Sequence, residues 1–429
     1  MSAGRTPKGA WAIVTLLFLF MLINFADKAV IGLAAVPIMQ ELKLTPKQFG
    51  LIGSSFFLLF SASAVVTGFI VNRAPTRWVL LAMGLVWALA QFPMLGPVGF
   101  ATLVACRVTL GAGEGPAYPV SLHAAYKWFP NELRTLPSAI IAQGGGVGVL
   151  VSLPLLNWVI VRWGWHWAFG VLGFAGLAWA AAWLMIGREG RVADPHAPSV
   201  APPRLPYGRL LLNPTVIASW CATFGAYWGL SQALTWQGAF MIKGLGFTQS
   251  GIGLLSALPP GISVLALLAG GWLSQRLLAG GVGSRWARGV FGGACVMLGG
   301  ITLLLMPSMP TVGLKIAMTI IGTAVPSLIY VIGPAVVSEI TPVAQRGALL
   351  AIGIAIGTSA GLLAPYVMGS IIENAATPLA GFNLGYSICG AVMLAGGLIG
   401  AAVMHPEREA ERLAGGLPSG RYLYGPADR

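Results

Sequence analysis

The chain has 429 residues, of which 56% are hydrophobic and 9% are charged, and its mean hydropathy is +0.81. Because soluble domains carry about 25% charged residues, this composition excludes a soluble enzyme and predicts a surface that mostly faces lipid. The net charge of +13 comes from basic residues scattered singly between apolar runs. We therefore interpret the charge as membrane topology and expect no nucleic-acid partner.

Long apolar runs, rather than short alternating strands, predict an all-α membrane protein and not a barrel. A helix of about 20 apolar residues crosses the hydrocarbon core. In chain order, twelve such runs occur at 11–38, 48–71, 78–97, 98–125, 136–161, 167–186, 213–241, 250–277, 287–307, 311–340, 347–372 and 381–404. The first run is too long for a signal peptide, although Arg5 and Lys8 precede it, so we expect an uncleaved first helix.

The distribution of Lys and Arg predicts the orientation of these twelve spans. With the N-terminus inside, most of the 25 basic residues fall in inner loops and tails. The outer side then receives only Lys43, Lys47, Arg162, Lys243 and Lys315. We therefore expect both termini to be cytoplasmic, in the cell membrane.

The longest polar insertion, residues 187–212, is rich in proline and arginine and is predicted to be a cytoplasmic linker. It separates an N-terminal six-helix half, 1–186, from a C-terminal six-helix half, 213–404. Residues 405–429 form a predicted cytoplasmic tail.

The two halves share a loop motif. The sequence GFIVNR at 68–73 after the second span is matched by GWLSQR at 271–276 after the eighth. Repeated halves are typical of alternating-access transporters, whose substrate site lies between the repeats near the bilayer midplane.

These loops resemble the signature of the major facilitator superfamily, which places Arg73, Arg77 and Arg276 in its gating loops. Four further stretches are similar to the anion:cation symporters of that superfamily: Asn24-Phe-Ala-Asp27-Lys28, Arg107 to Pro116, Trp128-Phe129-Pro130 with Glu132 and Arg134, and Leu234-Thr235-Trp236. The resemblance implies the superfamily fold of twelve transmembrane helices in two six-helix halves. It also implies proton-coupled uptake of an organic anion, with Asp27 and Glu114 as proton carriers.

The chain departs from the family pattern at several positions. The acidic residue of each loop signature is replaced by Asn72 or Gln275, which puts charge gating by that acid in doubt. Lys28 stands where the family usually has arginine. Phe60 and Ile354 replace a frequent tyrosine and a frequent asparagine, and each change removes a polar group from the expected cavity.

Four ionisable residues lie inside predicted spans, namely Asp27, Lys28, Arg107 and Glu114. A charge at a helix centre costs about 2.5 to 3.5 kcal/mol, so such residues are functional candidates by default. Arg107 and Glu114 are seven residues apart and therefore share one helix face, about 10 Å apart along the axis. Counting from the span ends, we expect Asp27, Lys28 and Arg107 at similar depth and Glu114 closer to the cytoplasm.

These charges predict a coupling mechanism. With both acids ionised, two anions offset two cations. When Asp27 or Glu114 takes a proton, Lys28 or Arg107 loses its partner, and a substrate carboxylate can replace it. We assign substrate orientation to Arg107, because its planar fork donates two parallel hydrogen bonds, and charge attraction to Lys28. The alternative is a static ion-pair network that holds the first span against the fourth.

Further features concern the pocket and the packing of the spans. Gln232 and Trp236 lie one turn apart on the seventh span and are candidate substrate contacts. Glycines 144–146 and 148 lie inside an apolar span and predict close helix packing. Pro116 and Pro119 in the fourth span and the pair 259–260 in the eighth are predicted to bend or break their helices.

The leading prediction is a proton-coupled symporter for a small organic anion, an aromatic or short-chain carboxylate with few hydroxyls. The alternatives are a sugar-acid symporter of the same family and a proton-driven exporter. A membrane-embedded enzyme is disfavoured, because the sequence lacks zinc-protease and serine-hydrolase motifs. We expect no catalytic residues, metal or cofactor. The expected partners are the anion, the proton and the lipid bilayer, and we expect a monomer.

Overall fold

The computed structural model describes residues 7, 9–71, 73–130, 133–190 and 205–414, and every regular element within these ranges is a helix. In chain order the α-helices are α1 (Ala10–Leu33), α2 (Ala35–Glu41), α3 (Pro46–Ser55), α4 (Phe60–Val71), α5 (Thr76–Gln91), α6 (Phe100–Glu114), α7 (Ala117–Tyr126), α8 (Thr135–Trp163), α9 (Trp165–Ile186), α10 (Tyr207–Leu211), α11 (Pro214–Ala239), α12 (Ile252–Ala279), α13 (Phe291–Leu305), α14 (Val312–Ala324), α15 (Ile329–Ile340), α16 (Val343–Asn374), α17 (Pro378–Val403) and α18 (Pro406–Ala414). Arg5, Lys8, Asn72, Glu132, the centre of the predicted linker and residues 415–429 lie outside the described ranges.

All twelve predicted spans are helical. Within the described ranges, ten helical segments are long and apolar enough to cross a membrane. The other two predicted spans are the fourth, which α6 and α7 form together, and the seventh, which is α11.

The fourth span is interrupted at Gly115 and Pro116, as predicted. Proline has no backbone N–H to continue the helical ladder. The break places Glu114 at the last residue of α6. By contrast, α12 continues through Pro259 and Pro260 without a break in its helical assignment, so these prolines do not break their helix.

The chain forms two compact units. The first unit comprises Met1–Ala197, Leu234–Gly261 and Pro365–Leu379, and the second comprises the remaining residues. The boundaries of the predicted halves stay a prediction from the linker and the repeated loops.

In the first unit, α1 packs along α8, and glycines bring the two backbones together. A Cβ at Gly144 would lie 2.5 Å from the carbonyl oxygen of Phe18, and a Cβ at Gly148 would lie 2.5 Å from that of Leu22. Any larger residue would push the helices apart. The predicted close packing of this glycine run is therefore confirmed.

In the second unit, a small apolar cluster joins Leu205 and Leu210 to Ala410 and Leu413 of α18. Gln345 holds the backbone of Leu205 from both sides, donating to its carbonyl oxygen at 2.7 Å and accepting from its N–H at 2.8 Å. These contacts fix the last residues of the predicted linker and the first residues of the predicted tail onto this unit.

Candidate functional site

The four predicted intramembrane charges meet in the first unit, where α1 lies beside α6. Asp27, Arg107 and Glu114 are buried, with exposed fractions of 1%, 4% and 1%. The side chain of Lys28 is 11% exposed. The sequence placed these residues by span and depth, and the structure brings all four into one cluster.

Lys28 pairs with Glu114. Its Nζ lies 3.4 Å from Oε2 of Glu114 and donates a 2.5 Å hydrogen bond to Oδ1 of Asn24, one turn earlier on α1. The ammonium also lies 4.4 Å from the ring centroid of Phe25 and 5.2 Å from that of Phe60. Phe60 thus contributes a ring face to the cation at a position where the family often has a tyrosine.

Asp27 and Arg107 form the second part of the cluster. The carboxylate Oδ1 of Asp27 accepts a 2.9 Å hydrogen bond from Nε2 of Gln91 on α5. Arg107 donates through Nη1 to the backbone carbonyl of Asp27 at 3.3 Å, and its guanidinium lies 4.7 Å from the ring centroid of Phe56. Among the described residues, Nε of Arg107 has no hydrogen-bond partner. Arg107 therefore keeps donor capacity for a ligand.

Both cations border one small cavity. Its lining consists of Lys28, Ile31, Gly53, Phe56, Phe57, Arg107, Leu234 and Thr235. Among these residues, Lys28 and Arg107 supply the charges, Thr235 supplies the uncharged polar side chain, and the other five supply hydrocarbon or backbone. Such a lining offers two cations to an anionic group and apolar side chains to the rest of a ligand.

The two candidates on α11 do not line this cavity. Trp236 is buried, donates from its indole nitrogen to the carbonyl of Pro365 at 2.9 Å, and packs edge-on against Phe49. Gln232 is buried in the second unit, where its Nε2 has no partner among the described residues. The same helix gives the cavity Leu234 and Thr235 instead. A role of Gln232 and Trp236 in substrate binding stays a prediction.

The three loop arginines make contacts of their own. Arg73 and Arg276 are exposed, and the guanidinium of Arg276 lies 5.1 Å from the ring centroid of Trp272. Arg77 donates from Nη2 to the carbonyl of Leu184 at 2.8 Å. Their gating role stays a prediction.

Sequence reasoning missed an acid beside these loops. Glu189, just beyond the sixth span, accepts hydrogen bonds from the backbone N–H groups of Thr76 and Arg77 at the start of α5, and pairs with Lys127. Partial burial disfavours its charge, but the hydrogen bonds from Lys127 and from these two backbone groups prevail and hold its pKa below the ordinary value of 4.5. Glu189 therefore ties the start of α5 to Lys127, which follows α7.

Gln91 and Thr235 were also missed as site residues. Each is a polar residue within an apolar run, and that signal could have identified them. Within the described ranges, no three His, Cys, Asp or Glu side chains come together as a set of metal ligands.

Comparison with known proteins gives consistent findings. The sequence model of the Major Facilitator Superfamily matches residues 17–329. The chain is 23% identical over 394 residues to the hexuronate transporter of Bacillus subtilis (strain 168), covering 90% of this chain and 91% of that protein. It is 26% identical over 416 residues to a probable sulfoacetate transporter of Cupriavidus necator, covering 90% and 92%.

A plant relative is matched over a shorter length. Probable anion transporter 4, chloroplastic, of Oryza sativa subsp. japonica is 28% identical over 289 residues. The match covers 63% of this chain and about half, 49%, of the rice protein.

Solved structures share the fold. A D-xylose-proton symporter superposes with a TM-score of 0.75 at 16% identity, covering 93% of this chain and 99% of that chain. A bacterial homologue of the human lysosomal transporter Spinster, in an inward-facing and occupied conformation, gives 0.74 at 17% identity, covering 96% and 98%. At such identities the likeness shows the fold alone.

Proposed function

We propose that this chain, which belongs to the Major Facilitator Superfamily, is a proton-coupled symporter that takes up a small organic anion. The observation that carries the proposal is the cavity that Lys28 and Arg107 border, with two buried acids among the immediate neighbours of these cations. The relatives named above are transporters of anions or sugar acids, which supports an anionic substrate.

The cations suit a carboxylate in different ways. Arg107 has an Nε donor without a partner among the described residues, and its planar guanidinium can hold both oxygens of a carboxylate. Lys28 offers a compact charge held between Asn24 and Glu114. Substrate orientation therefore falls to Arg107 and charge attraction to Lys28.

Proton coupling follows from the pairing of Lys28 with Glu114 at 3.4 Å. When Glu114 takes up a proton, it becomes neutral and the buried ammonium loses its counter-charge. A substrate carboxylate then restores neutrality, so the proton and the anion favour each other's binding. Asp27 is the second proton carrier, through the carboxyl group that Gln91 contacts.

The apolar part of the lining favours a substrate with few hydroxyls. Ile31, Phe56, Phe57 and Leu234 offer no hydrogen bonds from their side chains, and each unpaired buried polar group costs about 1–3 kcal/mol. We therefore propose an aromatic or short-chain carboxylate as the substrate. The relative named for sulfoacetate, a short acid without hydroxyls, supports this class.

A sugar acid is the second candidate. The relative named for hexuronate matches 90% of this chain, and the hydroxyl of Thr235 could serve a sugar hydroxyl. This candidate requires further polar contacts beyond those of the cavity lining.

Transport by the purified protein in liposomes tests the proposal. We expect vesicles with an alkaline interior to accumulate labelled benzoate or sulfoacetate above the external concentration, and a protonophore to abolish the accumulation. A thermal-shift screen against glucuronate, galactonate, benzoate and sulfoacetate tests the substrate class. Stabilisation by the sugar acids alone would overturn the preference for few hydroxyls, and accumulation that persists in the presence of the protonophore would overturn proton coupling.

We also propose that the protein is a monomer and that it lies in the cell membrane with both termini cytoplasmic. The distribution of its basic residues supports this orientation. A cysteine introduced near residue 414 should react with a membrane-impermeant maleimide in inside-out vesicles and not in intact cells. The opposite pattern would reverse the assigned orientation.

A further inference from the structure

We propose that Gln91 is a positioning residue that orients the carboxyl group of Asp27 and sets the pH range over which it exchanges its proton. The inference deepens the proposed function, because it rests on Asp27 acting as a proton carrier. The observation behind it is a buried contact between the fifth helix and the first.

The contact joins two side chains that are removed from solvent. Nε2 of Gln91 donates to Oδ1 of Asp27 at 2.9 Å, and the exposed fractions of the two residues are 2% and 1%. Gln91 is the last residue of α5, so its reach is fixed by the packing of that helix. A buried amide can be left unpaired only at a cost in free energy, which makes this hydrogen bond specific.

The charged groups near Asp27 come from two helices. Lys28 follows it on α1, while Arg107 and Glu114 lie on α6. The helices α2, α7, α8 and α9 also pack on α1. Their charged or titratable side chains are Glu41 of α2, Tyr118, His123 and Tyr126 of α7, Arg162 of α8, and His166 of α9, which pairs with Glu41. Gln91 therefore gives Asp27 an uncharged partner within a cluster of charges.

An amide suits a carboxyl group that changes its charge. Glutamine offers both a donor and an acceptor. Its N–H can donate to the ionised carboxylate, in the contact that joins Nε2 to Oδ1, and after rotation its oxygen can accept from the protonated acid. The same side chain can thus hold Asp27 in one place in both protonation states, whereas a cation would release it on protonation.

Removing the amide should shift the pH dependence of substrate binding. A hydrogen bond to a carboxylate stabilises its ionised form, so without Gln91 the acid keeps its proton to higher pH. In the unmodified protein we expect the affinity for substrate to fall at alkaline pH, as Asp27 loses its proton. Gln91→Met, which preserves length and removes the donor, should move this alkaline limb of the affinity–pH profile upward by about one pH unit. Affinity at the acidic plateau should stay within about twofold.

The test measures the affinity of the purified protein for benzoate between pH 5 and 9, with glucuronate used instead if the screen selects the sugar acid. Ser121→Ala is the control, because it removes a buried hydroxyl of α7 that has no partner among the described residues, and it should leave the limb in place. If Gln91→Met does not fold, Gln91→Glu decides, since its ionised carboxylate repels that of Asp27 and must also move the limb upward. A limb that coincides with the unmodified protein's in the folded variant would overturn the inference.

Asp27→Asn separates failure of this inference from failure of the proposed function. We expect this variant to lose the part of the alkaline limb that the Gln91 variants shift. An unchanged limb in Asp27→Asn would refute the proton role of Asp27 and, with it, the inference. If Asp27→Asn alters the limb but neither Gln91 variant shifts it, the inference about Gln91 fails alone.

Discussion

The ion pair between Lys28 and Glu114 makes Glu114→Gln the most informative substitution. The two charges lie 3.4 Å apart, and the side chain of Glu114 is fully buried. At this distance a pair is worth on the order of 5 kcal/mol for an effective dielectric constant of about 20. Removing one partner of a buried pair costs about 3–5 kcal/mol, because the other charge is left uncompensated.

A substrate carboxylate can recover part of that loss. Recovery of about 1.4 kcal/mol corresponds to tenfold tighter binding, so at an alkaline pH, where Glu114 of the unmodified protein is ionised, we expect Glu114→Gln to bind the anion at least tenfold more tightly. Gradient-driven accumulation should be lost. Each proton carried with the substrate allows about tenfold accumulation per unit of pH gradient, and a variant that carries no proton gains nothing from the gradient. Exchange of internal for external substrate, which needs no net proton movement, should persist.

Proteoliposomes provide the assay, with counterflow exchange and gradient-driven accumulation measured on the same preparation. Glu114→Asp is the matched control, because it keeps a titratable carboxyl group and should retain part of the accumulation. Full accumulation by Glu114→Gln would show that Glu114 carries no proton. Unchanged affinity would show that its pairing with Lys28 does not compete with the substrate, which is the outcome expected for a static ion-pair network.

Three further predictions follow from the site and its surroundings. Arg107→Lys, which keeps the charge but loses the planar fork, should weaken substrate binding at least tenfold with an unchanged melting temperature; retained affinity in a binding titration would contradict bidentate recognition. Gly148→Ala should lower the free energy of unfolding by about 1–3 kcal/mol, because its Cβ would meet the carbonyl of Leu22. Gly313→Ala, whose Cβ would meet nothing within 4 Å, should show no loss in the same thermal-unfolding experiment, and equal losses would contradict the packing argument. Because the pKa of Glu189 is lowered in the folded protein, its stabilisation is present above its ordinary value of 4.5 and is lost as the pH falls through the lowered value. The difference in melting temperature between the unmodified protein and Glu189→Gln should therefore be present at pH 7 and diminish as the pH falls below 4.5 and through the lowered pKa, and a constant difference would refute the role of its charge.

The sequence was sufficient to predict the fold and the family, and both are confirmed. Membrane spans can be predicted from local composition, because every lipid-facing segment must be apolar and helical. The helix break at Pro116 could also be predicted from local sequence, because it depends on one residue, a proline that lacks a backbone N–H. No break occurs at Pro119, Pro259 or Pro260, because a membrane helix can continue through proline when its neighbours satisfy the freed groups. A bend at these prolines stays a prediction.

The site was predictable only in part. Charges in an apolar run stand out, so Asp27, Lys28, Arg107 and Glu114 could be named and assigned to one region. Their pairing could not be named, because it depends on rotamers and on the rotation of α1 against α6. The donor from Gln91 comes from a third helix, and spacing along one helix carries no information about such a contact.

The interruption of the fourth span has a consequence for hydration. Residue 116 is proline, so the carbonyl oxygen of Ala112 lacks the N–H that a continuous helix would supply four residues later. In the interior of a bilayer, a backbone oxygen left in this way is satisfied by water or by a side chain. Because Ala112 lies two residues before Glu114, we expect water to bind at this carbonyl. Such water would give the carboxyl group of Glu114 a hydrated path for proton transfer.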